Sequence, residues 1–155
     1  MPKRSAGLLV WQPKPVRVLL AHPGGPFFAR RDDGCWSIPK GEYEPPEDAL
    51  TAAYREFAEE LGQPAPIGEA VPLGEARTSG KINTVWAVRG QVDTAVGVSN
   101  TFELEWPPGS ARRQLFPEVD RADWFELAAA RVKIFANQLP FLDRLTALVA
   151  EGSTG

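Results

Sequence analysis

Proline and glycine are spread along the whole chain, and they limit how long its regular elements can be. There are fifteen prolines and fourteen glycines, about a fifth of the sequence, and no segment collects most of them. Because both residues interrupt regular structure, this distribution predicts many loops within one folded unit and not a disordered tail. The 155 residues are enough for one core and too few for two, so we expect a single domain over residues 1–155.

The balance of charged residues excludes several classes of partner. Twenty acidic and seventeen basic residues give a net charge of −3, which provides no general attraction to nucleic acid or to an anionic membrane. The single cysteine, Cys35, cannot form an internal disulfide, and we expect it to pack in a core. No apolar run approaches the roughly 18 residues of a membrane span. We therefore expect a cytoplasmic protein with a small-molecule partner, and the oligomeric state stays open.

One amphipathic helix stands out, and it is predicted from Glu47 to Leu61. Two prolines precede it, Glu47 and Asp48 occupy its first turn near the positive end of the helix dipole, and Gly62 follows as a stop. Apolar side chains recur along it at helical spacing from Leu50 onward, which predicts one buried stripe.

The rest of the chain is typical of an α/β protein. Several short runs are β-rich or alternate between apolar and polar residues, and two later segments, 127–132 and 139–149, have helical spacing. Strands interrupted by a central helix, with a further helix at the end, predict an α/β sandwich. The predicted strands are 7–11, 16–20, 35–38, 84–88, 102–106 and 122–125.

The central helix carries an unusual group of acids. At about 100° per residue, Glu56, Glu59 and Glu60 fall within an arc of roughly 100° on the side away from the apolar stripe. Carboxylates packed this closely repel one another and raise one another's pKa, so the arrangement does not favour helix stability. A hard divalent cation such as Mg²⁺ resolves the repulsion. Arg55 lies one turn before Glu59 and can orient that carboxylate. A merely solvated acidic face is the alternative.

The segment before the helix supplies further candidates. Pro39 to Gly41 predicts a bend, where the backbone carbonyl of Lys40 could be an additional metal ligand and Gly41 permits close approach. Mg²⁺ held by carboxylates also binds substrate phosphates, which the side chains of Lys40 and Arg113 could contact. Trp36 borders a loop and could stack a base, with burial in the core as its alternative. For His22, which precedes a Pro-Gly-Gly loop, a surface or hydrogen-bonding role is favoured over catalysis.

The spacing of these residues resembles the Nudix box, G-x5-E-x7-R-E-U-x-E-E-x-G-U. Phe57 stands at the first bulky apolar position, and only Gln63, where an aliphatic residue is usual, departs from the pattern. Residues Trp36 to Glu42 are also similar to the branch that cleaves dinucleoside polyphosphates, whereas 99–103 and 116–120 look like a small bacterial subgroup. The fixed positions of the box are matched by Gly41, Glu47, Arg55, Glu56, Glu59, Glu60 and Gly62.

The resemblance implies a Nudix-type α/β/α sandwich with a mixed sheet and a catalytic loop–helix unit. It implies that Glu56, Glu59 and Glu60 hold Mg²⁺ or Mn²⁺, and that Glu56 also orients or deprotonates the attacking water. Glu47 and Arg55 would form an ion pair that braces the loop on the helix, and Gly41 and Gly62 would be structural. Many members use a carboxylate outside the box as ligand or base. Our choice for that role is Glu118, and its rivals are Glu103, Glu105 and Asp120.

The implied reaction is hydrolysis of a pyrophosphate bond in a nucleoside diphosphate linked to another moiety. Residues 36–42 favour a dinucleoside polyphosphate, with a nucleoside triphosphate close behind. The alternatives are an ADP-ribose or nucleotide-sugar pyrophosphatase and a nucleotide-binding regulator without turnover. The complete set of box carboxylates argues against the regulator.

Overall fold

The computed structural model describes residues 2–78, 80–95 and 100–152. Ser99, which opens one of the segments similar to the bacterial subgroup, lies outside these ranges. Within them, no helix is both long and apolar enough to cross a bilayer. The elements are β1 (Lys3–Gln12), β2 (Arg17–Pro23), β3 (Lys40–Tyr43), α1 (Ala49–Leu61), β4 (Ala70–Thr78), β5 (Lys81–Arg89), β6 (Thr101–Glu105), β7 (Arg113–Pro117), β8 (Val119–Glu126), α2 (Leu127–Lys133), a 3₁₀ turn (Ala136–Gln138) and α3 (Leu139–Gly152).

A mixed sheet forms the centre of the molecule. Its order is β4-β5-β1-β2-β8, and β3 pairs with β1 beside this path. β1 runs parallel to β5 from Lys3 to Trp11, whereas its other neighbours are antiparallel. Along its second edge, β1 pairs with β3 through residues 4–7 and with β2 only at residues 11–12. The mixed α/β architecture predicted from the sequence is confirmed.

Helices cover both faces of this sheet, because the side chains of β1 point alternately to opposite sides. Leu8 and Val10 pack with Phe57 of α1 in one core cluster. Leu9 packs on the other face with Phe141 of α3 and its neighbours. The side chains of β1 between Ala6 and Val10 are fully buried. A strand buried on both faces, with helices on each side, is the α/β/α sandwich.

Helix α1 begins two residues later than predicted. Asp48 has an extended backbone and its side chain accepts a hydrogen bond from the Thr51 N–H at 3.1 Å, so it is the N-cap, and Glu47 lies before the helix. A short acidic side chain on a residue with an extended backbone accepts a hydrogen bond from an N–H that has no partner within the helix, and this fixes where the helix begins. At the other end, Gly62 adopts a left-handed conformation with φ of 67° and donates its N–H to the Ala58 carbonyl. Glycine adopts this conformation without steric cost.

Two predicted strands differ from the structure. Residues 35–38 do not form a strand. Trp36 makes an isolated bridge to Ile134 and Ser37 makes one to Ala21, and these single bridges do not extend into a ladder. The strand predicted at 122–125 is the longer β8. A two-stranded ribbon, β6–β7, stands apart from the main sheet and is inserted just before β8.

Candidate active site

The segment before α1 and the helix itself meet at Gly41. A Cβ atom on Gly41 would lie 2.0 Å from Oε2 and 2.6 Å from Oε1 of Glu56. The Glu56 carboxylate therefore rests directly against the backbone of β3, and any larger residue at position 41 would displace it. The requirement here is for close approach, which explains why glycine occupies this position.

Arg55 joins the loop to the helix. Its Nε and Nη2 donate to the two carboxylate oxygens of Glu47, both at 2.8 Å, which is the two-pronged geometry that suits a guanidinium group. Its Nη1 donates to Glu56 at 2.9 Å and to Glu59 at 3.2 Å. These bonds lower the pKa of Glu47 and raise that of Arg55. One guanidinium thus fixes the loop residue and bridges two carboxylates of the helix.

Four carboxylates influence one another at this end of the helix. Burial raises the pKa of Glu56, and the charges of Glu59 and Glu118 raise it further, against the hydrogen bond from Arg55. Burial raises the pKa of Glu60 well above its usual range, with Glu56 and Glu118 adding to the effect. The pKa of Glu118 is raised by burial and by the charge of Glu59. The structure therefore brings Glu118 to the three acids of the box.

Glu60 is the least satisfied of these acids. Among the residues that the structure describes, its buried Oε2 has no hydrogen-bond partner, whereas the side chains of Glu56 and Glu59 are 13% and 35% exposed and both contact Arg55. A buried carboxylate oxygen without a partner is costly to keep ionised. The charge of Lys40 offsets only part of this cost.

Lys40 contributes through both its backbone and its side chain. The Leu8 N–H donates to the Pro39 carbonyl at 3.1 Å. Because hydrogen-bonded pairs alternate along an antiparallel ladder, the N–H and C=O of Lys40 point away from β1. A backbone hydrogen bond from Lys40 lowers the pKa of Glu60, so this side of the strand faces the buried acid. The Lys40 pKa is lowered by burial and by the nearby Lys81.

The donor set fits a divalent cation by its chemistry but not by its present arrangement. Among the residues that the structure describes, no three His, Cys, Asp or Glu side chains are arranged to hold an ion as they stand. The Arg55 Nη1 lies between two of the carboxylates, so they would have to turn toward a cation. The residue types nevertheless fit, because hard cations take carboxylate and carbonyl oxygens and because the buried Oε2 of Glu60 has no other partner among the residues described.

Two predicted substrate contacts lie elsewhere. Trp36 is only 4% exposed, its indole N–H donates to Asp32 at 2.7 Å, and its ring packs edge-on against Phe125. This burial argues against a base stacking on Trp36. Arg113 is opposite Glu105 in the strand register of the β6–β7 ribbon. It lies four residues before Pro117, which places its backbone about 13 Å from Pro117 along the strand. The structure does not bring Arg113 to the carboxylates.

The rivals of Glu118 are exposed on the ribbon or bonded to another side chain. Glu103 and Glu105 are exposed on β6, and Glu105 accepts a hydrogen bond from the Ala111 N–H. Asp120 lines a cavity of about 180 Å³ together with Glu60, but its carboxylate is bonded to His22. A larger cleft of about 1080 Å³, lined by Trp11, Arg89 and Leu148 among others, contains none of the predicted site residues.

Sequence reasoning missed two close contacts at the site. Gly7 lies opposite Lys40, and a Cβ atom there would be 2.5 Å from the Lys40 Cβ. A glycine inside a strand was the available signal. The second is the path of the chain from α1 to Glu118: the Asn100 N–H donates to the Glu59 carbonyl at 3.0 Å and the Glu118 N–H to the Asn100 carbonyl at 2.8 Å. No local pattern indicates that connection.

Comparison with known proteins agrees with this fold. The family model described as NUDIX domain matches residues 1–145. An Ap4A hydrolase from C. elegans, solved as a binary complex, is 22% identical with a TM-score of 0.59, covering 96% of this chain and 98% of that one. The NUDIX domain of Shewanella oneidensis NrtR, complexed with ADP ribose, is 14% identical with a TM-score of 0.64, covering 96% and 89%. A mutT/nudix family protein from Listeria innocua is 15% identical with a TM-score of 0.64, covering 99% and 98%.

At these identities the solved structures share the fold, and the family assignment comes from the domain match over residues 1–145. That range contains the whole box, the loop that precedes it and Glu118. The chain belongs to the Nudix family and is a phosphoanhydride hydrolase.

Proposed function

We propose that this chain, acting as one domain, hydrolyses a phosphoanhydride bond in a nucleoside diphosphate derivative with the help of Mg²⁺ or Mn²⁺. The observation that carries the proposal is the buried Oε2 of Glu60, which has no partner within the described part of the chain. Burial and neighbouring carboxylates raise the pKa of Glu60, Glu56 and Glu118. A divalent cation, which prefers carboxylate oxygens, would supply the missing partner and offset the repulsion among these acids.

In this proposal Glu56, Glu59, Glu60 and Glu118 supply the carboxylate ligands, and the Lys40 carbonyl supplies a neutral one. When bound, the cation would lower the pKa of water and neutralise charge on the substrate phosphates. Glu56 is the candidate to accept the proton of the attacking water, because burial raises its pKa toward the range that suits a base at neutral pH. The Lys40 ammonium would attract the phosphates.

Arg55 has a positioning role in this proposal. Two of its nitrogens are held by Glu47, so its third nitrogen is placed accurately against Glu56 and Glu59. Since the guanidinium stays charged, it limits the repulsion between these acids before substrate arrives. The half-buried setting of the pair strengthens this effect relative to a pair in open solvent.

We propose a dinucleoside polyphosphate as the preferred substrate class, with nucleoside triphosphates as the second. The support is the similarity of residues 36–42 to the polyphosphate-cleaving branch, together with the likeness of the fold to an Ap4A hydrolase. ADP-ribose is the alternative with an observation behind it, because one structural neighbour was solved with that compound.

The test is a panel of these nucleotides incubated with Mg²⁺ or Mn²⁺, with EDTA controls and chromatography of the products. A dinucleoside polyphosphate gives two nucleotides, a triphosphate gives a monophosphate and pyrophosphate, and ADP-ribose gives AMP and ribose phosphate. Glu59→Gln should lower turnover by about 100-fold or more, whereas the exposed Glu69→Gln should leave it unchanged. Wild-type turnover by Glu59→Gln at saturating Mg²⁺ would refute the metal assignment.

A further inference from the structure

His22 is a fully buried imidazole at the end of β2, and both of its ring nitrogens are engaged. Nδ1 lies 2.9 Å from Oδ1 of Asp120, and Nε2 lies 2.7 Å from the carbonyl oxygen of Arg31. Both partner atoms are oxygens that accept hydrogen bonds, and the ring lies between them. The Trp36 ring packs against it edge-on, with centroids 5.1 Å apart, and fixes the remaining freedom of the imidazole.

The partner carboxylate belongs to an irregular point of the sheet. In the pairing of β2 with β8, His22 is opposite Arg121 and Pro23 is opposite Val119. In this strand register, Asp120 is therefore opposite no residue of β2, and it is the extra residue of a β-bulge. A bulge bends its strand and re-aims neighbouring side chains, and bulges are frequent beside active sites.

Glu118 lies immediately before this bulge, and its backbone is held on both sides. Its N–H donates to Asn100 at 2.8 Å, and its carbonyl accepts from the Gly24 N–H at 2.9 Å. A Cβ atom on Gly24 would be 1.9 Å from the Pro117 carbonyl oxygen, so only glycine permits this approach. The direction of the Glu118 side chain thus depends on the bulge on one side and on the loop after His22 on the other.

We infer that His22, by bonding the bulged Asp120, is a positioning residue that aims the Glu118 carboxylate at the acids of α1. The inference rests on the proposed function, in which Glu118 is a metal ligand or base. His22 itself is buried behind the strand and touches no reacting group. Its second bond, to the Arg31 carbonyl, joins the loop after β2 to the same arrangement, so the loop and the bulge are fixed by one side chain.

This inference predicts that His22 and Glu118 act on the metal site as one unit. Outer residues that orient metal ligands typically account for about 10–100-fold in metal affinity or activity. We expect His22→Gln to weaken Mn²⁺ binding by about 10-fold and to lower kcat by a similar factor, with little change in KM. In a Glu118→Gln background, His22→Gln should have no further effect, because the group that it positions has lost its charge.

The experiment is a double-mutant cycle of His22→Gln and Glu118→Gln, read by calorimetric titration of Mn²⁺ and by kcat and KM. Asp123→Asn, an exposed acid on the same strand, is the control and should match the wild type. Asp120→Asn, which leaves the imidazole in place, repeats the test if His22→Gln does not fold. Two results would overturn the inference. One is a fold-change in Mn²⁺ affinity in the double variant that equals the product of the fold-changes in the two single variants. The other is an unchanged Mn²⁺ affinity in His22→Gln. If no nucleotide is cleaved, the proposed function fails, but the Mn²⁺ titration still decides the coupling.

Discussion

Replacing Glu60 by glutamine should change how the stability of the metal-free protein depends on pH. In the unfolded chain this carboxyl titrates near 4.5, whereas in the folded chain burial and the charges of Glu56 and Glu118 raise its pKa well above that value. The folded state therefore binds the Glu60 proton more tightly than the unfolded state does. Consequently, the free energy of unfolding falls as pH rises above 4.5 and levels off once the folded-state pKa is passed. Glutamine does not titrate, so Glu60→Gln lacks this loss.

The size of the effect has a ceiling that follows from linkage. One group changes the free energy of unfolding by at most about 1.4 kcal/mol per pH unit. Between pH 4.5, the ordinary value for this carboxyl, and about pH 7.5, the loss cannot exceed about 4 kcal/mol for Glu60 alone. The new amide also lacks a partner for one of its atoms, at a cost of about 1–3 kcal/mol. That cost is the same at every pH, so the slope of the difference reports the buried charge.

The assay is urea unfolding in EDTA from about pH 5 to about pH 8, with wild type, Glu60→Gln and Glu69→Gln compared at each pH. Relative to Glu60→Gln, the wild type should lose stability as pH rises. Glu69 is exposed, so Glu69→Gln should run parallel to the wild type. A difference between wild type and Glu60→Gln that stays constant across this range would refute the reasoning about a buried, unpaired acid.

Three further changes test other parts of the loop–helix unit. Gly41→Ala places a methyl group 2.0 Å from the Glu56 carboxylate, and we expect kcat to fall by about 100-fold; full activity would show that Glu56 can move without loss. Asp48→Ala removes the N-cap of α1 and should cost about 1 kcal/mol in urea unfolding, with turnover at saturating Mg²⁺ preserved. Arg55→Lys cannot keep the two-pronged bond to Glu47, so kcat should fall about 10-fold or more. The same kcat in Arg55→Lys would mean that charge alone suffices there.

Local pattern was enough to predict the helices and the buried strands of this fold. Elements whose apolar residues recur at a regular spacing, such as α1 and β5, lie close to their predicted places. The structure also contains β4, which was not predicted: it lies at the edge of the sheet and its register shifts between Pro72 and Gly74, so its alternation is broken. The β7 strand was missed because it is exposed and pairs only with β6.

The candidate site likewise combines residues that a local sequence pattern predicts with a residue that is placed by contacts between segments far apart in the sequence. The spacing of the box identifies Glu56, Glu59 and Glu60 because they lie on one helix, where neighbours in space are neighbours in sequence. The place of Glu118 depends on hydrogen bonds to Asn100 and Gly24, which no local pattern encodes. Trp36 was assigned to the substrate because it borders a loop in the sequence, whereas the loop folds inward and buries it.

The β6–β7 ribbon begins and ends at nearly the same place in the fold, and this affects how such a protein can diversify. Asn100 bonds the backbone carbonyl of Glu59 and the backbone N–H of Glu118. The seventeen residues between Asn100 and Glu118 therefore leave and return beside the backbone of these two acids. A ribbon of another length or composition can therefore be exchanged there without changing the separation of these acids. Mutation in the ribbon can therefore change this surface while the proposed ligand carboxylates stay in place, so selection can act on the two parts separately.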